Sequence, residues 1–367
     1  MILINIWMNK LMYKNILILN MEVMDYNFSF YKYLAKKNFK VTLVHYDKIE
    51  DKNTPFELEE NLKNPKTIKK SKLNFFNFKN LLNNNFELVL VSGWTNILYL
   101  VIAYYFKFKY KSKLIISVDN YYKKSLRQKI GIYILKTFLF YKLFNYCWIP
   151  SSYHSDLVTK IGFKRRQILN NLYSADTDFY SSMFNYSIKS KEINYPKNLL
   201  FVGRLEKVKG LDLLIEAWNL ISNKKGWTLT IVGNGSLDKK LTKINDCNFI
   251  PFSNKNDLLK IANNSGFFIL PSRYEPWGVV IHEFVSAGLP VICSKNCGSS
   301  KIFVQNNING YIIQDLNVFN LTKFILKIID LPKEKLLKFS YNSFKNCKKI
   351  NYEKNYYNLL SLFNETI

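Results

Sequence analysis

Glu275 and Glu283 have the setting in this sequence that most favours chemistry, with seven residues between them. A carboxylate accepts two hydroxyl hydrogen bonds at once, which suits sugars and ribose. Gly278 lies between the glutamates, permits a ligand to approach the backbone closely, and precedes a helix start whose free N–H groups favour an anion. Alternatively, a glutamate in this position is only a favourable charge at the positive end of a helix dipole.

The elements that must position this pair follow in the order strand, loop, helix, strand. The apolar run 267–270 predicts a buried strand, which Pro271 stops. A helix is predicted over 279–287 with Gly288 as its stop, and 289–293 predicts the next buried strand. This is the unit of a parallel sheet, and ligands of such sheets bind beyond the carboxyl ends of the strands.

A basic loop follows the strand predicted at 198–202 and leads into a helix predicted over 211–221. The loop reads Gly203-Arg204-Leu205-Glu206-Lys207-Val208-Lys209-Gly210. Arg204 can bind a phosphate through two hydrogen bonds, and Lys209 adds a point charge. A strand, a basic loop flanked by glycine and a helix together suit a diphosphate, whereas a lone Arg or Lys in a loop is usually solvated.

The motif as a whole resembles a known family. The stretch 271–278, followed by Glu283 and the run 287–292, reads Pro-Ser-Arg-Tyr-Glu-Pro-Trp-Gly and then Ala-Gly-Leu-Pro-Val-Ile. It closely resembles the E-x7-E signature of family-4 retaining glycosyltransferases of the GT-B fold. The resemblance, strong over about 198–310, implies an α/β chain with two Rossmann-like domains whose parallel sheets face an interdomain cleft.

The same resemblance implies roles for the residues already named. Glu275 would contact the donor sugar near its reacting end, and Glu283 would bind the nucleotide ribose. Arg204 and Lys209 would hold the charge of the leaving diphosphate, which would itself help to deprotonate the acceptor hydroxyl. No metal and no cofactor would be required. Further donor contacts are expected in the surrounding loops, at Gly203, Trp277, Gly278, Gly298 and Ser299.

In the first half of the chain the resemblance is weaker. A strand predicted at 114–118 would, in relatives, often end in a histidine that touches the donor sugar. Asp119 and Asn120 occupy that place, so a hydrogen-bonding role is expected and a histidine role is excluded. Trp94, after a strand predicted at 87–92, either offers a sugar-stacking face or is simply part of the core.

The domain boundary is expected in the Ser/Lys/Asn-rich segment 180–197, which predicts a linker. The predicted N-terminal, acceptor-binding domain is 1–190, with the C-terminal helix of about 350–367 packing back on it. The predicted nucleotide-sugar-binding domain is 191–349. In the polar stretch 48–85 we expect a helix, and a strand near 73–78.

The chain of 367 residues carries a net charge of +26, from 53 basic and 27 acidic residues. This charge favours an acidic partner, although composition bias towards lysine also explains it. The segment 121–146 alternates basic and aromatic residues, as does a helix lying on an anionic membrane or a packed helix with a solvated lysine edge.

Several kinds of site and location are disfavoured. The five cysteines are scattered without a C-x-x-C pair, which suits a reducing cytoplasm and no metal site. Asp176 and Asp178 fit an acidic metal motif only by their spacing. No run is long enough to span a bilayer, and 1–12 lacks a cleavage site of a signal peptide.

The expected protein is therefore a cytoplasmic enzyme, and the basic helices leave open a peripheral association with the inner face of the cytoplasmic membrane. Its expected partners are a nucleotide-sugar donor and a glycan or lipid-linked acceptor, in the synthesis of cell-surface glycans. The alternatives are a basic nucleic-acid-binding protein and an inactive membrane-associated partner of a glycosyltransferase. Against the first, no known nucleic-acid module is recognisable in the sequence.

Overall fold

The computed structural model describes residues 14–46, 63–69, 75–238 and 244–364. Two compact units make up the chain. The first combines the described chain up to Tyr173 with the segment from Glu353 onward, and the second runs from Ser174 to Tyr352. The prediction about a signal peptide at 1–12 lies outside the described residues.

The first unit is built on a parallel, seven-stranded sheet in the order β3-β2-β1-β4-β5-β6-β7. Its central strands carry continuous buried apolar runs, 16–19 in β1 and 88–91 in β4, because helices cover both faces of such a sheet. Its elements are β1 Lys14–Asn20, α1 Asp25–Lys36, β2 Phe39–His45, β3 Lys66–Lys69, α2 Phe75–Leu82, β4 Leu88–Ser92, α3 Ile97–Tyr110, β5 Lys113–Ser117, α4 Leu126–Thr137, β6 Tyr146–Trp148, α5 Ser155–Ile161 and β7 Ile168–Leu169.

The second unit is built on a parallel, six-stranded sheet in the order β10-β9-β8-β11-β12-β13. Its elements are α6 Thr177–Ser181, α7 Phe184–Ile193, β8 Asn198–Val202, α8 Leu211–Asn219, β9 Thr228–Val232, β10 Cys247–Ile250, α9 Lys255–Asn263, β11 Phe267–Leu270, α10 Val279–Ser286, β12 Val291–Ser294, α11 Ser300–Phe303, β13 Gly310–Ile313, α12 Val318–Ile329 and α13 Lys333–Cys347. The two predicted parallel α/β sheets are thus confirmed, while a cleft between them stays a prediction.

Each sheet has one point where the strand order reverses. In the first unit β2 and β4 flank β1, and in the second β9 and β11 flank β8. Loops that leave the two strands at such a point diverge to opposite faces and open a crevice at their carboxyl ends. A ligand site is therefore expected after β1 and β4, and another after β8 and β11.

The segment 180–197 is not a linker. It forms α6 and α7 on the second unit, where the ring of Phe184 stacks on Phe344 with centroids 3.9 Å apart. The hydroxyl of Tyr195 donates to the carbonyl of Gly266 at 2.8 Å. The polar composition concealed these buried aromatic anchors, so the chain joins the second unit at Ser174, earlier than expected.

The last helix, α14 at Tyr352–Asn364, returns to the first unit. The ring of Phe363 lies 5.7 Å from that of Phe39 on β2, and the Lys113 ammonium donates to the Leu362 carbonyl. Leu359 is fully buried there. The first unit is consequently built from two separate parts of the sequence.

Two further predictions concern regions of uncertain sequence pattern. Within 48–85 the described strand is β3 and the described helix is α2, so the strand expected near 73–78 is wrong where the structure describes that stretch. The segment at 121–146 contains α4 and two flanking loops rather than one long helix. None of the helices in the described ranges is both long and apolar enough to cross a bilayer.

Candidate functional site

Lys209 and Glu275 form an ion pair at the carboxyl ends of β8 and β11, at the reversal point of the second sheet. The two side chains are 17% and 12% exposed. Partial burial keeps water from screening the pair and fixes both groups in one place. The site thus offers an ammonium that can neutralise a phosphate and a carboxylate that can accept hydroxyl hydrogen bonds.

The loop that carries Lys209 is locked to the loop that follows β11. Gly210 has φ +73°, and a Cβ built on it would lie 1.8 Å from the carbonyl oxygen of Pro271. Arg273 donates two hydrogen bonds to the carboxylate of Asp212, at 2.6 and 2.8 Å, and its backbone N–H donates to the Val208 carbonyl at 2.8 Å. The two loops therefore hold Lys209 and its partner as one rigid constellation.

The Arg273 pair is also visible in the electrostatics of its carboxylate. Burial acts to raise the pKa of Asp212, but the hydrogen bonds and the charge of Arg273 outweigh burial and hold that pKa below its ordinary value. Asp212 stands in the first turn of α8, where the helix dipole also favours a negative charge. The Asp212 carboxylate therefore stays ionised and keeps its hydrogen bonds to Arg273 in the loop after β11.

A third loop, after β12, supports Glu275 from the other side. The N–H of Gly298 donates to the Glu275 carbonyl at 3.1 Å, and the N–H of Ser299 donates to the Trp277 carbonyl at 2.8 Å. The Ser299 hydroxyl donates to the Gly278 carbonyl at 2.8 Å. Gly278 has φ +84°, and a Cβ there would meet the Glu275 side chain at 2.8 Å. These predicted contact residues do gather around Glu275, and their binding of substrate stays a prediction.

Trp277 has a different place from the one expected. Its side chain is 2% exposed and packs edge-on against the ring of Phe303, with centroids 6.3 Å apart. Removing a large apolar ring from water stabilises the folded state, so the buried Trp277 ring holds its loop against the second unit. Because the ring is buried, it offers no open face to a substrate, and the predicted substrate contact at Trp277 stays a prediction.

Arg204 lies in the loop after β8 with an exposed side chain. Over the ranges that the structure describes, its guanidinium forms no ion pair. The neighbouring Gly203 is covered by the loop after β9, since a Cβ on Gly233 would lie 2.0 Å from the Gly203 carbonyl oxygen. The N–H of Leu205 also donates to the Asn234 carbonyl at 2.9 Å. Gly233 and Gly235, in the loop after β9, thus allow that loop to pack closely against the loop after β8.

Glu283 is half-buried on α10, and its neighbour His282 anchors that helix. The Nδ1 atom of His282 accepts from the Ala175 N–H at 3.0 Å, and Nε2 donates to the Cys347 carbonyl at 3.0 Å. These partners require the neutral ring with its proton on Nε2. Burial lowers the pKa of His282 to about 4, which agrees with that state.

A pocket of about 370 Å³ opens in the first unit, at the carboxyl ends of β1, β4 and β5. It brings together the predicted residues Trp94, Asp119 and Asn120. The stretch after β1 adds Met21, Glu22, Met24 and Tyr26 to the lining. Trp94 is half-buried, lines the pocket and also packs against the core, and its sugar-stacking role stays a prediction. This is the site expected where the first sheet reverses its strand order.

The lining of this pocket combines aromatic rings, amides and hydroxyls. The Tyr173 hydroxyl donates to the Asp119 carboxylate at 3.3 Å, and the Tyr26 ring lies edge-on against Tyr173 at 5.5 Å. Burial, and then the charge of Asp119, raise the pKa of Tyr173 well above its ordinary value. Among the residues that the structure describes, the formally charged ones that line the pocket are Glu22 and Asp119, in a chain of net charge +26. The pocket therefore suits an uncharged or amino-bearing, hydroxyl-rich ligand and disfavours an anion.

A metal centre is not apparent. Over the described ranges, no three His, Cys, Asp or Glu side chains are grouped so as to hold an ion. Asp176 accepts from the N–H of Phe179 at 3.2 Å as a helix cap and lies 3.8 Å from the Lys255 ammonium. All five cysteines are unpaired, and burial raises the pKa of Cys297 to about 12, so its thiol is unreactive.

Sequence reasoning missed three residues that shape these sites. Arg273 stands inside the quoted motif and could have been found there as a possible partner of an acidic residue on the following helix. His282 immediately precedes Glu283, but a buried histidine leaves no signature in one sequence. Tyr173 lies beyond the end of β7 at Leu169 and lines the pocket, a position that no pattern in the sequence marks.

Part of the chain is similar to a known family. Residues 184–346 match the family model of glycosyl transferases group 1. An uncharacterized glycosyltransferase of Haemophilus influenzae is 29% identical over 145 residues, which cover 37% of this chain and 40% of that protein. The amylovoran biosynthesis glycosyltransferase AmsK of Erwinia amylovora is 25% identical over 159 residues, covering 40% and 39%. The chain spans less than half the length of these curated relatives.

The fold is similar over nearly the whole chain to that of a solved structure. HepE from Anabaena, crystallised in complex with UDP and glucose, has a TM-score of 0.71 and 14% sequence identity, over 96% of this chain and 100% of that chain. At this identity the likeness shows the fold alone. The predicted GT-B fold is thereby confirmed.

Proposed function

We propose that this protein is a retaining glycosyltransferase that uses a nucleotide-sugar donor. The match of residues 184–346 to the family model of glycosyl transferases group 1 supports this proposal. The observation that carries the proposal is the ion pair of Lys209 and Glu275 where the second sheet reverses its strand order. A fixed cation beside a fixed carboxylate suits a ligand that has a diphosphate at one end and sugar hydroxyls at the other.

In this proposal the diphosphate binds between Lys209 and the exposed guanidinium of Arg204. Arg204 is suited to a phosphate because its planar fork matches two phosphate oxygens. Glu275 accepts hydrogen bonds from hydroxyls of the donor sugar, and Glu283 on α10 accepts those of the ribose. Two cations at the diphosphate do the work for which other enzymes employ a metal ion, so no metal is required. HepE, which shares the fold, was crystallised with UDP and glucose, which supports a uridine nucleotide as the first donor to test.

The acceptor binds in the pocket of the first unit. Aromatic faces beside amides and a carboxylate are suited to a sugar, whose C–H faces stack and whose hydroxyls donate. Because Glu22 and Asp119 would repel an anion, the part of the acceptor inside the pocket is a neutral or amino sugar. In a lipid-linked acceptor, the phosphates would lie outside it. The likeness to AmsK supports polysaccharide synthesis as the setting, and the five unpaired cysteines support the cytoplasm.

The reaction exchanges one bond at the anomeric carbon of the donor. The bond from that carbon to the diphosphate oxygen breaks, and a bond from it to the acceptor oxygen forms on the same face. The acceptor proton passes to an oxygen of the departing diphosphate. Lys209 and Arg204 stabilise the negative charge that develops there, and electrostatic stabilisation of this kind is commonly the largest catalytic contribution. Glu275 orients the sugar and is not itself the nucleophile.

The test measures UDP affinity by calorimetry, and transfer from UDP-sugars to a panel of neutral and amino sugars. Lys209→Met and Glu275→Gln should each lower kcat/KM about a hundredfold or more. Lys209→Met should weaken UDP binding as well, while Glu275→Gln should largely spare it. The matched control is Lys327→Met, an exposed lysine on α12.

A double variant, Lys209→Met with Glu275→Gln, leaves no unpaired charge and separates loss of chemistry from loss of folding. Undiminished transfer in Lys209→Met or Glu275→Gln would contradict the proposal. Tight binding to duplex DNA, with no binding of UDP or GDP, would instead favour the nucleic-acid alternative.

A further inference from the structure

Helix α3 presents an apolar stripe to solvent. Its inner face is buried, through Tyr99, Ile102, Ala103 and Phe106. Its outer face exposes Ile97, Val101, Tyr104 and Phe108, which follow one another at helical spacing and are 55–76% exposed. Single exposed apolar residues are ordinary, but a continuous stripe along one helix marks a surface that something covers.

Helix α4 shows the same feature more strongly, because none of its residues is buried. It exposes Leu126, Ile130, Tyr133 and Ile134, and Phe138 follows directly with 81% of its surface exposed. The sequence left open whether this segment is a packed helix with a solvated lysine edge. Ile132 and Leu135 pack against the core, as that alternative expects, but the other apolar side chains of the helix face solvent together with its lysines.

The two stripes lie on the same face of the first unit. The strands β4, β5 and β6 are parallel and adjacent in that order, and α3 and α4 connect them in succession. Crossovers between parallel strands are right-handed, so both helices cover the same side of the sheet. We call their exposed apolar residues, Ile97, Val101, Tyr104, Phe108, Leu126, Ile130, Tyr133, Ile134 and Phe138, the α3–α4 surface.

The charge around the α3–α4 surface has a single sign. Between residues 97 and 142 the only acidic residue is Asp119, which lines the pocket. The exposed basic residues in this stretch are Lys109, Lys111, Lys123, Lys124, Arg127, Lys129, Lys136 and Lys142. Composition bias alone would distribute lysine without regard to the apolar stripes, and it would not leave these stripes uncovered.

We infer that the α3–α4 surface rests on an anionic lipid bilayer, with its apolar side chains in the interface and its basic residues against the headgroups. Aliphatic, phenylalanine and tyrosine side chains on one face with lysine and arginine around them are the composition of interfacial helices. A second copy of this chain fits poorly, because two such surfaces would place like charges together. A nucleic acid would bind the basic residues and would leave the apolar stripes in water.

The experiment uses the full chain and vesicles of phosphatidylcholine, with and without phosphatidylglycerol, separated by sedimentation. Binding to the anionic vesicles should exceed binding to the neutral ones by about tenfold or more, and added salt should weaken it. Equal binding to both vesicle types, or none to either, would overturn the inference.

Two double variants locate the contact. Ile130→Ser with Tyr133→Ser should lower partition into anionic vesicles by about tenfold or more. Leu220→Ser with Phe319→Ser removes comparably exposed apolar side chains from the second unit and should change it less than about twofold. All four residues are exposed, so both variants should fold, which circular dichroism checks.

A result in which both double variants bind vesicles equally well would refute the assignment to the α3–α4 surface. So would a wild-type dimer that Ile130→Ser with Tyr133→Ser converts to a monomer, because the surface would then be an interface between copies. Sedimentation velocity without lipid measures this. Retained transfer activity on a water-soluble acceptor would show that the variant lost only its membrane contact.

Discussion

His282 is expected to make the second unit acid-labile. The folded ring is neutral, since it accepts from the Ala175 N–H and donates to the Cys347 carbonyl, and burial lowers its pKa to about 4. In the unfolded chain the pKa is the ordinary 6.5. Between these two values the unfolded state binds one proton more than the folded state. The free energy of unfolding therefore falls as the pH falls from 6.5 to about 4.

The magnitude follows from the size of the shift. At about 1.36 kcal/mol for each pH unit, the interval between 6.5 and about 4 corresponds to a loss of about 3 kcal/mol. This is a large fraction of the stability of an ordinary domain. The loss has a functional consequence, because His282 anchors α10 beside Glu283.

Urea unfolding between pH 7 and pH 4, followed by circular dichroism and tryptophan fluorescence, measures this loss. His282→Gln should be less stable at pH 7 by about 1–3 kcal/mol, because it leaves a buried hydrogen-bond partner unsatisfied. Its stability should nevertheless decline less steeply with falling pH, so that the two proteins converge. Parallel curves for wild type and His282→Gln would refute the reasoning.

Other predictions concern single residues. Burial lowers the pKa of Lys191 from 10.5 to about 7, so the free energy of unfolding should rise as the pH rises from about 7 to 10.5. Lys191→Met should increase the free energy of unfolding at neutral pH by about 2–4 kcal/mol, measured by urea unfolding. Gly210→Ala should displace its loop and weaken UDP binding about tenfold or more, whereas Gly131→Ala, with open space around it, should stabilise α4 by about 0.5–1 kcal/mol. Arg273→Lys should lose one hydrogen bond to the Asp212 carboxylate and weaken UDP binding without abolishing it, as calorimetry would show.

The sequence was most informative about the second sheet. The strands at Asn198–Val202 and Phe267–Leu270 were predicted to the residue. Central strands of a parallel sheet are buried on both faces, so their apolar runs are continuous. Glycine or proline follows each of these strands and makes its end visible.

The site was predictable in its composition but not in its contacts. The pattern named Lys209 and Glu275 separately, and only the fold shows that they pair across neighbouring strands. It could not show that the Trp277 ring turns inward, since an aromatic residue in a loop has no periodicity that reveals its direction. The helices within 180–197 were hidden for a related reason, because polar residues dominate a segment that is anchored by a few buried rings.

The return of α14 to the first unit has a consequence for biosynthesis. Over the described residues the second unit is one continuous stretch, Ser174–Tyr352, so it can fold as soon as that stretch has left the ribosome. The first unit begins earlier but lacks Leu359 and the aromatic residues that pack against Phe39 until residues 353–364 have been translated. During synthesis the N-terminal sheet therefore stays partly uncovered until α14 has been made, and chaperones can bind its exposed apolar surface during that time.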